Sequence, residues 1–538
     1  MFNSTTNLRT MKNIKYLLSF TVVAYLISAC TNDLDVVPID PDEQTSATLY
    51  DSPDAYRQVI AKLYGGLALT GQRGPDGAGD IAGIDEGFSS YLRNLWYHQE
   101  LSTDEALIGW NDQTIKDFHE QDWGASDIFI RGMYSRIYYQ ITLANEFIRQ
   151  ASDGNLSSRG LTETQATEVR LYRAEARFLR ALSYWHALDL FGNVPFVTED
   201  DQVGSFLPEQ ISRAELFAYV ENELLDMESS LADAGANEYA RADKAAAWMV
   251  LAKLYLNADV YIGTPRYTDC ATYLNKVIAA GYTLDPNYKN IFLADNHNSP
   301  EIIFPVAFDG LRTQTWGGTT FIIHAAIGGS MSPADFGVDA AWGGTRTTSA
   351  FVGKFADPSG NTDIRAMFYT PGQKIDIKDV SLFTDGYAIR KWSNKTSTGT
   401  SGSDATFPDT DFPMFRLADV YLMYAEAFLR GATGTDGGTA VSYINALRQR
   451  AYGDNSGNIT QTDLNLSFII DERARELYWE SHRRTDLIRF GLFTTATYLW
   501  AWKGGVEAGA AVSPNYNLFP LPAADIAANP NLTQNPGY

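Results

Sequence analysis

The chain has 538 residues, of which 45% are hydrophobic, and its 42 basic and 65 acidic residues give a net charge of −23. Apolar residues are abundant enough for a large core, whereas the acidic balance excludes nucleic acid and anionic membrane surfaces as electrostatic partners. Aromatic residues make up 13% of the chain, which leaves aromatic side chains available for a carbohydrate-binding surface.

The N-terminal segment has the features of an export signal. Arg9, Lys12 and Lys15 precede the apolar stretch "YLLSFTVVAYLI", residues 16–27, which is too short to span a bilayer as a helix. The next residues, Ser28-Ala29-Cys30, complete a sequence that resembles the lipobox of bacterial lipoproteins. The sequence therefore predicts that Cys30 is lipidated and becomes the new N-terminus.

Two alternatives remain open at this end of the chain. The cysteine could lie by chance near the cleavage site of an ordinary secretory signal, and Met11 is as good a start as Met1. The lipoprotein interpretation divides the chain into a signal peptide (1–29), an acidic, proline-containing lipidated tether (30–45) and one domain (46–538).

Helical periodicity dominates the first half of the domain and returns near its end. In "DSPDAYRQVIAKLYGG", Ser52 can cap a helix, Pro53 suits its first position and Gly65 suits its end. Small residues at many helical positions favour close packing of helix pairs. Further helices are predicted at roughly 125–151, 163–191, 212–233, 241–260, 267–280, 414–430, 438–452 and 467–490.

The stretch from about 300 to 410 differs in composition. It is rich in Gly, Thr, Ser and Asp and shows few helical periods, which indicates long loops and short strands. Helices resume after it, so it is predicted to be an insertion in the same domain. The predicted fold class is mainly α, with about four tetratricopeptide-like helix pairs that carry an irregular, loop-rich ligand-binding region with short strands.

Several long motifs occur in a fixed order along the chain: "ELSTDEALIGW" (100–110), "AEARFLRALSYWHALDLFGNVPFVTE" (174–199), "YTDCATYLNKVIAAGYTLDPNYKNIF" (267–292), "FRLADVYLMYAEAFLRG" (415–431) and "DERARELYWESHRRTDLIRFG" (471–491). Together they resemble the SusD/RagB family of Bacteroidetes outer-membrane lipoproteins. The resemblance implies a helical scaffold, a ligand-binding face built from irregular insertions, and a place as the lid of a SusC-like TonB-dependent transporter. The chain departs from the family pattern at Ser481, where glycine is usual.

Shorter blocks resemble the starch-binding founding member of that family. They are "LTGQRGPDG" (69–77), "DEGFSSYLR" (85–93), "FTDGYAIRKW" (383–392) and "YLWAWKGG" (498–505). In that protein an arc of aromatic rings holds an α-1,4-glucan with help from an arginine and an amide. The resemblance implies that the ligand-binding residues are Arg93, Trp110, Gln113, Trp316 and Trp342.

Two positions of this implied site depart from the pattern, because Ile108 stands in place of a tryptophan and Gln113 in place of an asparagine. The remaining residues suit sugar chemistry. An aromatic plane packs against the C–H face of a pyranose, and an arginine donates several hydrogen bonds to hydroxyls. Trp316 and Trp342 each precede Gly-Gly, which we take to leave their rings free at a loop surface.

Other conspicuous residues are interpreted as structural. The charged set near the C-terminus is predicted to form an ion-pair lattice between the last helices. Cys270 falls within a helical period and is predicted to be a buried small hydrophobe. The six histidines show no metal-ligand spacing, no cofactor is predicted, and the sequence leaves open whether a structural cation is bound. The set comprises Glu472, Arg473, Glu476, Glu480, Arg483, Asp486 and Arg489.

Three classes of function remain to be compared. The first is an outer-membrane lipoprotein that binds starch or malto-oligosaccharides at the cell surface and delivers them to a SusC-like transporter. The second is the same role with another ligand, such as a β-1,3-glucan or peptides, and a receptor without a transporter is a variant of either. The third is a helical glycoside hydrolase, which would need two carboxylates about 5–10 Å apart; Asp112 and Asp339 lie near the tryptophans in sequence. The sequence favours the first class and a protein that is not an enzyme.

Overall fold

The computed structural model describes residues 49–201, 204 and 206–538. The predicted signal peptide, Cys30 and the tether lie outside the described residues. Residues 56–538 form one compact unit, and the described residues before it form a turn and the start of the first helix. No helix in the described part of the chain is both long enough and apolar enough to cross a membrane.

Helices make up most of the regular structure, as the periodicity predicts. The α-helices of the described residues are α1 (Pro53–Gly65), α2 (Tyr91–Trp96), α3 (Asp117–Glu120), α4 (Ile128–Gln150), α5 (Asp153–Ser158), α6 (Glu163–Leu190), α7 (Arg213–Met227), α8 (Lys244–Leu256), α9 (Ala258–Ile262), α10 (Tyr267–Ala279), α11 (Gly318–Ala325), α12 (Ser349–Val352), α13 (Leu417–Leu429), α14 (Gly437–Tyr452), α15 (Leu466–Leu477), α16 (Arg483–Arg489) and α17 (Ala523–Ala528). A π-helical turn, Tyr97–Leu101, continues α2.

The long helices pack as successive pairs. Helix α4 packs on α6, α6 on α7, α8 on α10, and α13 on both α14 and α15. Local sequence sets several of the starts: the side chains of Thr162 and Ser212 form capping boxes at α6 and α7. Cys270 of α10 is fully buried, as predicted, and this burial raises the pKa of its thiol. The mainly α fold built from helix pairs is confirmed.

Four short antiparallel strand pairs complete the fold of the described residues. They are β1 (Leu107–Ile108) with β5 (Thr345–Arg346), β2 (Val194–Pro195) with β3 (Gln210–Ile211), β4 (Ile302–Val306) with β8 (Phe412–Arg416), and β6 (Phe368–Tyr369) with β7 (Ala388–Ile389). Pairing of β4 with β8 makes the chain leave and re-enter the helical scaffold at one place. Residues 307–411 between these two strands are mostly turns and loops, which confirms the loop-rich prediction.

One predicted helix, 467–490, is in fact two helices. Helices α15 and α16 are separated by residues 478–482, where Trp479 and Ser481 have φ values of +62° and +64°. A right-handed helix cannot continue through such residues, and glycine adopts this conformation more readily than serine does. The backbone N–H of Ser481 donates to Glu100 at 2.6 Å, so a buried carboxylate holds the break.

The charged residues of α15 and α16 form the predicted ion-pair lattice, and the lattice reaches further than the last helices. Glu476 accepts from Arg416 of β8 at 2.8 Å, from Arg365 of the loop-rich region at 3.0 Å, and also from Arg450 of α14. The side chains of all three arginines and of the glutamate are buried. Burial alone would raise the pKa of Glu476, but the three guanidinium groups lower it to about 2.

Two other buried carboxyl groups have pKa values shifted in the opposite direction to that of Glu476. Glu100 and Glu105 are both buried, and burial raises the pKa of Glu100 to about 7 and, together with the nearby charge of Glu100, raises that of Glu105 well above its ordinary value. A group whose folded pKa is raised stabilises the fold below its unfolded pKa, and this contribution is lost as the pH rises through the folded pKa. The pair therefore makes stability fall between about pH 4.5 and pH 7.

We expect Glu100→Gln to flatten this part of the pH profile. The glutamine oxygen can still accept from the backbone at Ser481 and His482, so the break between α15 and α16 is retained. The wild type should lose stability relative to the variant as the pH rises from 5 to 7, by an amount on the order of 1 kcal/mol per pH unit. Denaturant unfolding at several pH values measures this difference, and parallel profiles for the two proteins would contradict it.

Candidate glycan-binding site

The three predicted tryptophans lie side by side, although Trp110 follows β1 and only Trp316 and Trp342 belong to the loop-rich region. The ring centroids of Trp110 and Trp342 are 6.3 Å apart and those of Trp342 and Trp316 are 6.2 Å apart. All three side chains are half-buried. We call Trp110, Trp316 and Trp342 the tryptophan arc, because successive ring planes are inclined by 48° and 59°.

Strand pairing brings Trp110 to Trp342. In the β1–β5 pair, Ile108 lies opposite Thr345, and the next N–H along the chain, that of Gly109, donates to Gly344 at 3.0 Å. Trp110 then donates its indole N–H to the backbone oxygen of Trp342 at 3.1 Å. Ile108 is fully buried in this pair, so the position that departs from the family pattern contributes no side chain to the surface.

The C-terminal end of α11 contacts the backbone and one ring face of Trp342. Backbone N–H groups of Trp342 and Gly344 donate to the carbonyls of His324 and Ala325 at 3.0 and 2.8 Å, which satisfies carbonyls that a helix end leaves free. The imidazole of His324 stacks on Trp342 with 4.7 Å between ring centroids and 21° between planes. One face of Trp342 is therefore covered by protein, and only the other face is available to a ligand.

Both ring nitrogens of His324 face backbone carbonyls. Nδ1 lies 2.8 Å from the oxygen of Ala340, and Nε2 lies 2.9 Å from that of Thr406. A neutral imidazole carries one N–H and can donate to only one of them. This fully buried histidine links the backbone on either side of the arc, and its position within an apolar run gave no indication of this role.

Arg93 lies beneath the arc and is largely occupied by protein contacts. Its Nε donates to the Tyr97 hydroxyl at 2.6 Å, and its Nη1 donates to the backbone oxygens of Gly87 and Trp316 at 2.7 and 2.8 Å. The guanidinium also lies 4.6 Å from the ring centroid of Phe321. Nη2 forms no hydrogen bond with the residues that the structure describes, so this nitrogen is the one available to a ligand.

Tyr97 holds Arg93 from the π-helical turn that follows α2. Burial raises the pKa of its phenol, and the neighbouring guanidinium of Arg93 offsets part of this rise. The phenol therefore remains protonated at neutral pH and accepts the Arg93 hydrogen bond through its oxygen. Sequence periodicity missed α2 and the π turn, because together they are short and follow a glycine-rich stretch.

The glycines after the arc tryptophans have a different role from the one predicted. They permit close packing and do not leave the rings free. A Cβ atom on Gly317 would lie 1.8 Å from Ser90 Oγ, and one on Gly344 would lie 2.7 Å from the ring of Trp110. Gly318 and Gly343 have φ values of +54° and +59°.

Gln113 is near Arg93 and outside the tryptophan arc. Its side chain is exposed, its φ is +26°, and it lines a cavity of about 350 Å³ together with Arg93, Tyr97 and Asp112. The structure thus brings four of the five predicted residues into direct contact and leaves Gln113 at the rim beside them. Phe321 and Phe407, which pack under the arc, were missed by the sequence prediction.

The described residues contain no group of three or more His, Cys, Asp or Glu side chains placed to hold a metal ion. Asp112 and Asp339, the two carboxylates noted beside the tryptophans, are both exposed, and Asp339 accepts a hydrogen bond from Thr406 at 2.5 Å. The arrangement is a shallow aromatic surface with one arginine nitrogen available, which is suited to holding a sugar chain by stacking.

Comparison with known proteins identifies the family. A family model described as "SusD family" matches residues 342–538, and another, described as "Starch-binding associating with outer membrane", matches residues 89–256. Starch-binding protein SusD of Bacteroides thetaiotaomicron is 38% identical over 98% of this chain and 99% of its own length. The chain belongs to the SusD family.

Solved SusD-family structures have the same fold. A SusD superfamily protein of Bacteroides thetaiotaomicron superposes with a TM-score of 0.69 at 21% identity, covering 90% of this chain and 100% of that one. Surface glycan-binding protein A of the same organism, solved in complex with laminarihexaose, gives a TM-score of 0.65 at 20% identity, covering 90% and 99%. These likenesses establish the helical scaffold of tetratricopeptide-like pairs and the irregular region that it carries.

Proposed function

We propose that this SusD-family chain is a cell-surface lipoprotein of the outer membrane. In this proposal it binds starch or malto-oligosaccharides and delivers them to a SusC-like TonB-dependent transporter. The observation that carries the ligand proposal is the tryptophan arc, in which three half-buried rings lie 6.2–6.3 Å apart beside Arg93. The 38% identity to a starch-binding relative supports the same choice.

The inclination of the rings favours a curved ligand. An α-1,4-glucan coils, so consecutive sugars can pack on rings whose planes turn by 48° and 59°. A flat β-1,4-glucan would instead need coplanar platforms. With about 1 kcal/mol from each stacking contact, a short oligosaccharide binds weakly, and a polymer gains from repeated encounters along its length.

A β-1,3-glucan is the second candidate ligand. Its chain is also curved, and a structural relative of this protein has been solved with laminarihexaose. Relative to the family pattern, the surface lacks a tryptophan at Ile108, which is buried, and has Gln113 in place of an asparagine beside Arg93. Peptides are a further ligand class that the family resemblance leaves open.

We also propose that the protein binds its ligand without hydrolysing it. The arc offers stacking surfaces and an arginine nitrogen, and the curated relative is described as a binding protein. A weak binder at the cell surface needs a partner that carries the sugar inward, which supports the proposal of a transporter covered by this chain. The tether 30–45 would then act as a flexible anchor.

The first prediction from this proposal concerns the arc. Replacing Trp110, Trp316 or Trp342 by alanine should weaken maltoheptaose binding by about 1–3 kcal/mol each, because a truncated side chain loses stacking and buried apolar area. Cyclic maltoheptaose should bind at least as well as the linear sugar, since it is already curved. Isothermal calorimetry on the wild type and the three variants measures both effects.

Trp502→Ala is the matched control for the arc variants. Trp502 is also half-buried and its indole also donates to a backbone oxygen, that of Ile377, but it lies outside the arc. Its replacement should leave the affinity unchanged. If the protein binds laminari-oligosaccharides in preference to maltoheptaose, the ligand is a β-1,3-glucan instead of starch. Release of shorter sugars from maltoheptaose would contradict the non-enzymatic role. Arg93→Ala is a poor test, because this arginine also holds Gly87 and Trp316.

The second prediction concerns the anchor. Cys30→Ser should abolish incorporation of a labelled fatty acid, because only the cysteine thiol can receive the diacylglyceryl group, and should release the protein from the outer-membrane fraction. Metabolic labelling followed by fractionation measures both outcomes. Unchanged labelling of the serine variant would show that the lipobox interpretation is wrong.

The third prediction concerns the transporter. Purification of the chain from its native membrane in mild detergent should recover a large barrel protein at near-equal amounts. The same purification from a strain that carries Cys30→Ser is the control. It shows whether the chain and the barrel protein associate only after the cells are lysed. Recovery of the lipidated chain alone, at native expression, would favour an independent surface receptor.

A further inference from the structure

A second cavity opens in the loop-rich region, and residues of the tryptophan arc do not line it. Its volume is about 550 Å³, which lies within the range of small-molecule sites. Its walls come from the 3₁₀ helix Tyr288–Phe292 and from residues 330–336, 359–369 and 390–393. Four separate segments of the chain thus converge on one concave surface.

Two cationic side chains in this cavity lack partners. Lys289 and Arg390 are exposed and line its walls, and neither side chain forms an ion pair or a hydrogen bond with the residues that the structure describes. Some cations of the described chain, such as Arg180, Lys276 and Lys354, are paired with carboxylates, and others, such as Lys374, form no ion pair with the described residues. In a protein of net charge −23, two unpaired cations in one cavity create a local site for an anionic group.

The rest of the lining is suited to a sugar. Ile364 is 40% exposed, so it offers apolar surface to a C–H face, whereas Met331 and Phe336 line the same wall but are largely buried. Tyr369 is half-buried, and its hydroxyl lies 2.8 Å from Ser330 Oγ, which gives an aromatic ring bordered by hydroxyls. These groups match the apolar face and the hydroxyl edge of a pyranose.

One carboxylate in the cavity restricts the class of anion. Asp335 is exposed, and its side chain forms no hydrogen bond with the described residues. It can accept hydrogen bonds from hydroxyl groups, but it repels a ligand that carries several negative charges. A ligand with a single carboxylate and several hydroxyls satisfies Lys289, Arg390 and Asp335 together.

We propose that this cavity is a second saccharide site, which takes a sugar residue bearing a carboxylate, that is, a hexuronic acid. Arg390 and Lys289 hold the carboxylate, Asp335 accepts from ring hydroxyls, and the Tyr369 ring packs on the sugar face. This proposal holds whichever glucan binds the tryptophan arc. The cavity would bind acidic sugars in preference to neutral ones, a distinction that the arc does not make.

The test compares methyl glucuronide with methyl glucoside. The two sugars differ only at C6, where the glucuronide has a carboxylate and the glucoside a hydroxymethyl group. Ligand-observed NMR titration of the full chain should show glucuronide binding at least about tenfold more tightly than the glucoside, because two charge-assisted contacts are lost with the carboxylate. Binding should weaken as salt is added, since both cations are exposed. Equal binding of the two glycosides would overturn the proposal.

Variants locate the binding in this cavity. Lys289→Gln and Arg390→Gln should each weaken glucuronide binding by about tenfold. Lys374→Gln is the matched control, because Lys374 is an exposed lysine of the same region that does not line the cavity. A loss in the control equal to that in the cavity variants would show that only net charge matters and would overturn the site.

Two further measurements distinguish recognition of the sugar in this cavity from plain anion binding and from binding at the arc. Acetate that competes as strongly as the glucuronide would show an anion site that ignores the sugar, which also overturns the proposal. Trp316→Ala should leave glucuronide binding unchanged, and Arg390→Gln should leave maltoheptaose binding unchanged. Failure of the arc to bind maltoheptaose, with glucuronide binding intact, would reject the proposed function and spare the second site.

Discussion

The buried ion pairs around Glu476 are the interaction on which the architecture depends. Glu476 lies on α15, yet its partners come from the strand that closes the loop-rich region, from that region itself and from α14. Arg416 extends the network to Glu301, just before β4, at 2.7 Å and to Glu480 at 2.6 Å. Because every group is buried, removing one partner leaves an uncompensated charge and costs about 3–5 kcal/mol. The irregular region is therefore fixed to the helices at its base.

The tryptophan arc is held in place by contacts that connect it to this base. The β4–β8 pair returns the chain to the scaffold, the β1–β5 pair aligns Trp110 with Trp342, and Arg93 fixes the backbone of Trp316. The same π-helical turn that supplies Tyr97 also supplies Glu100, whose carboxyl holds the break between α15 and α16. The break between α15 and α16, Arg93 and the tryptophan arc are therefore connected through this one turn.

Sequence periodicity predicted the long helices well, because their apolar positions recur at helical spacing whatever the surrounding fold. It failed at residues 478–482, where a left-handed backbone is enforced by Glu100, a residue some 380 positions away in the chain. The family resemblance supplied the arc residues, but it could not show that Arg93 is mostly consumed by backbone carbonyls. His324 and Phe407 were missed for the same reason: their role comes from tertiary packing and leaves no periodic signal.

The hydrogen bond from Trp110 to Trp342 and the histidine stack beneath have a kinetic consequence. Rings fastened to the backbone and to each other do not reorganise when a ligand arrives, so little conformational entropy is lost on binding. A preformed, shallow surface also presents no barrier to departure. Ligand exchange on such a surface is rapid, and residence is governed by how many rings are covered at one time. If the arc holds a glucan as proposed, we expect the sugar chain to move from ring to ring while at least one ring stays covered.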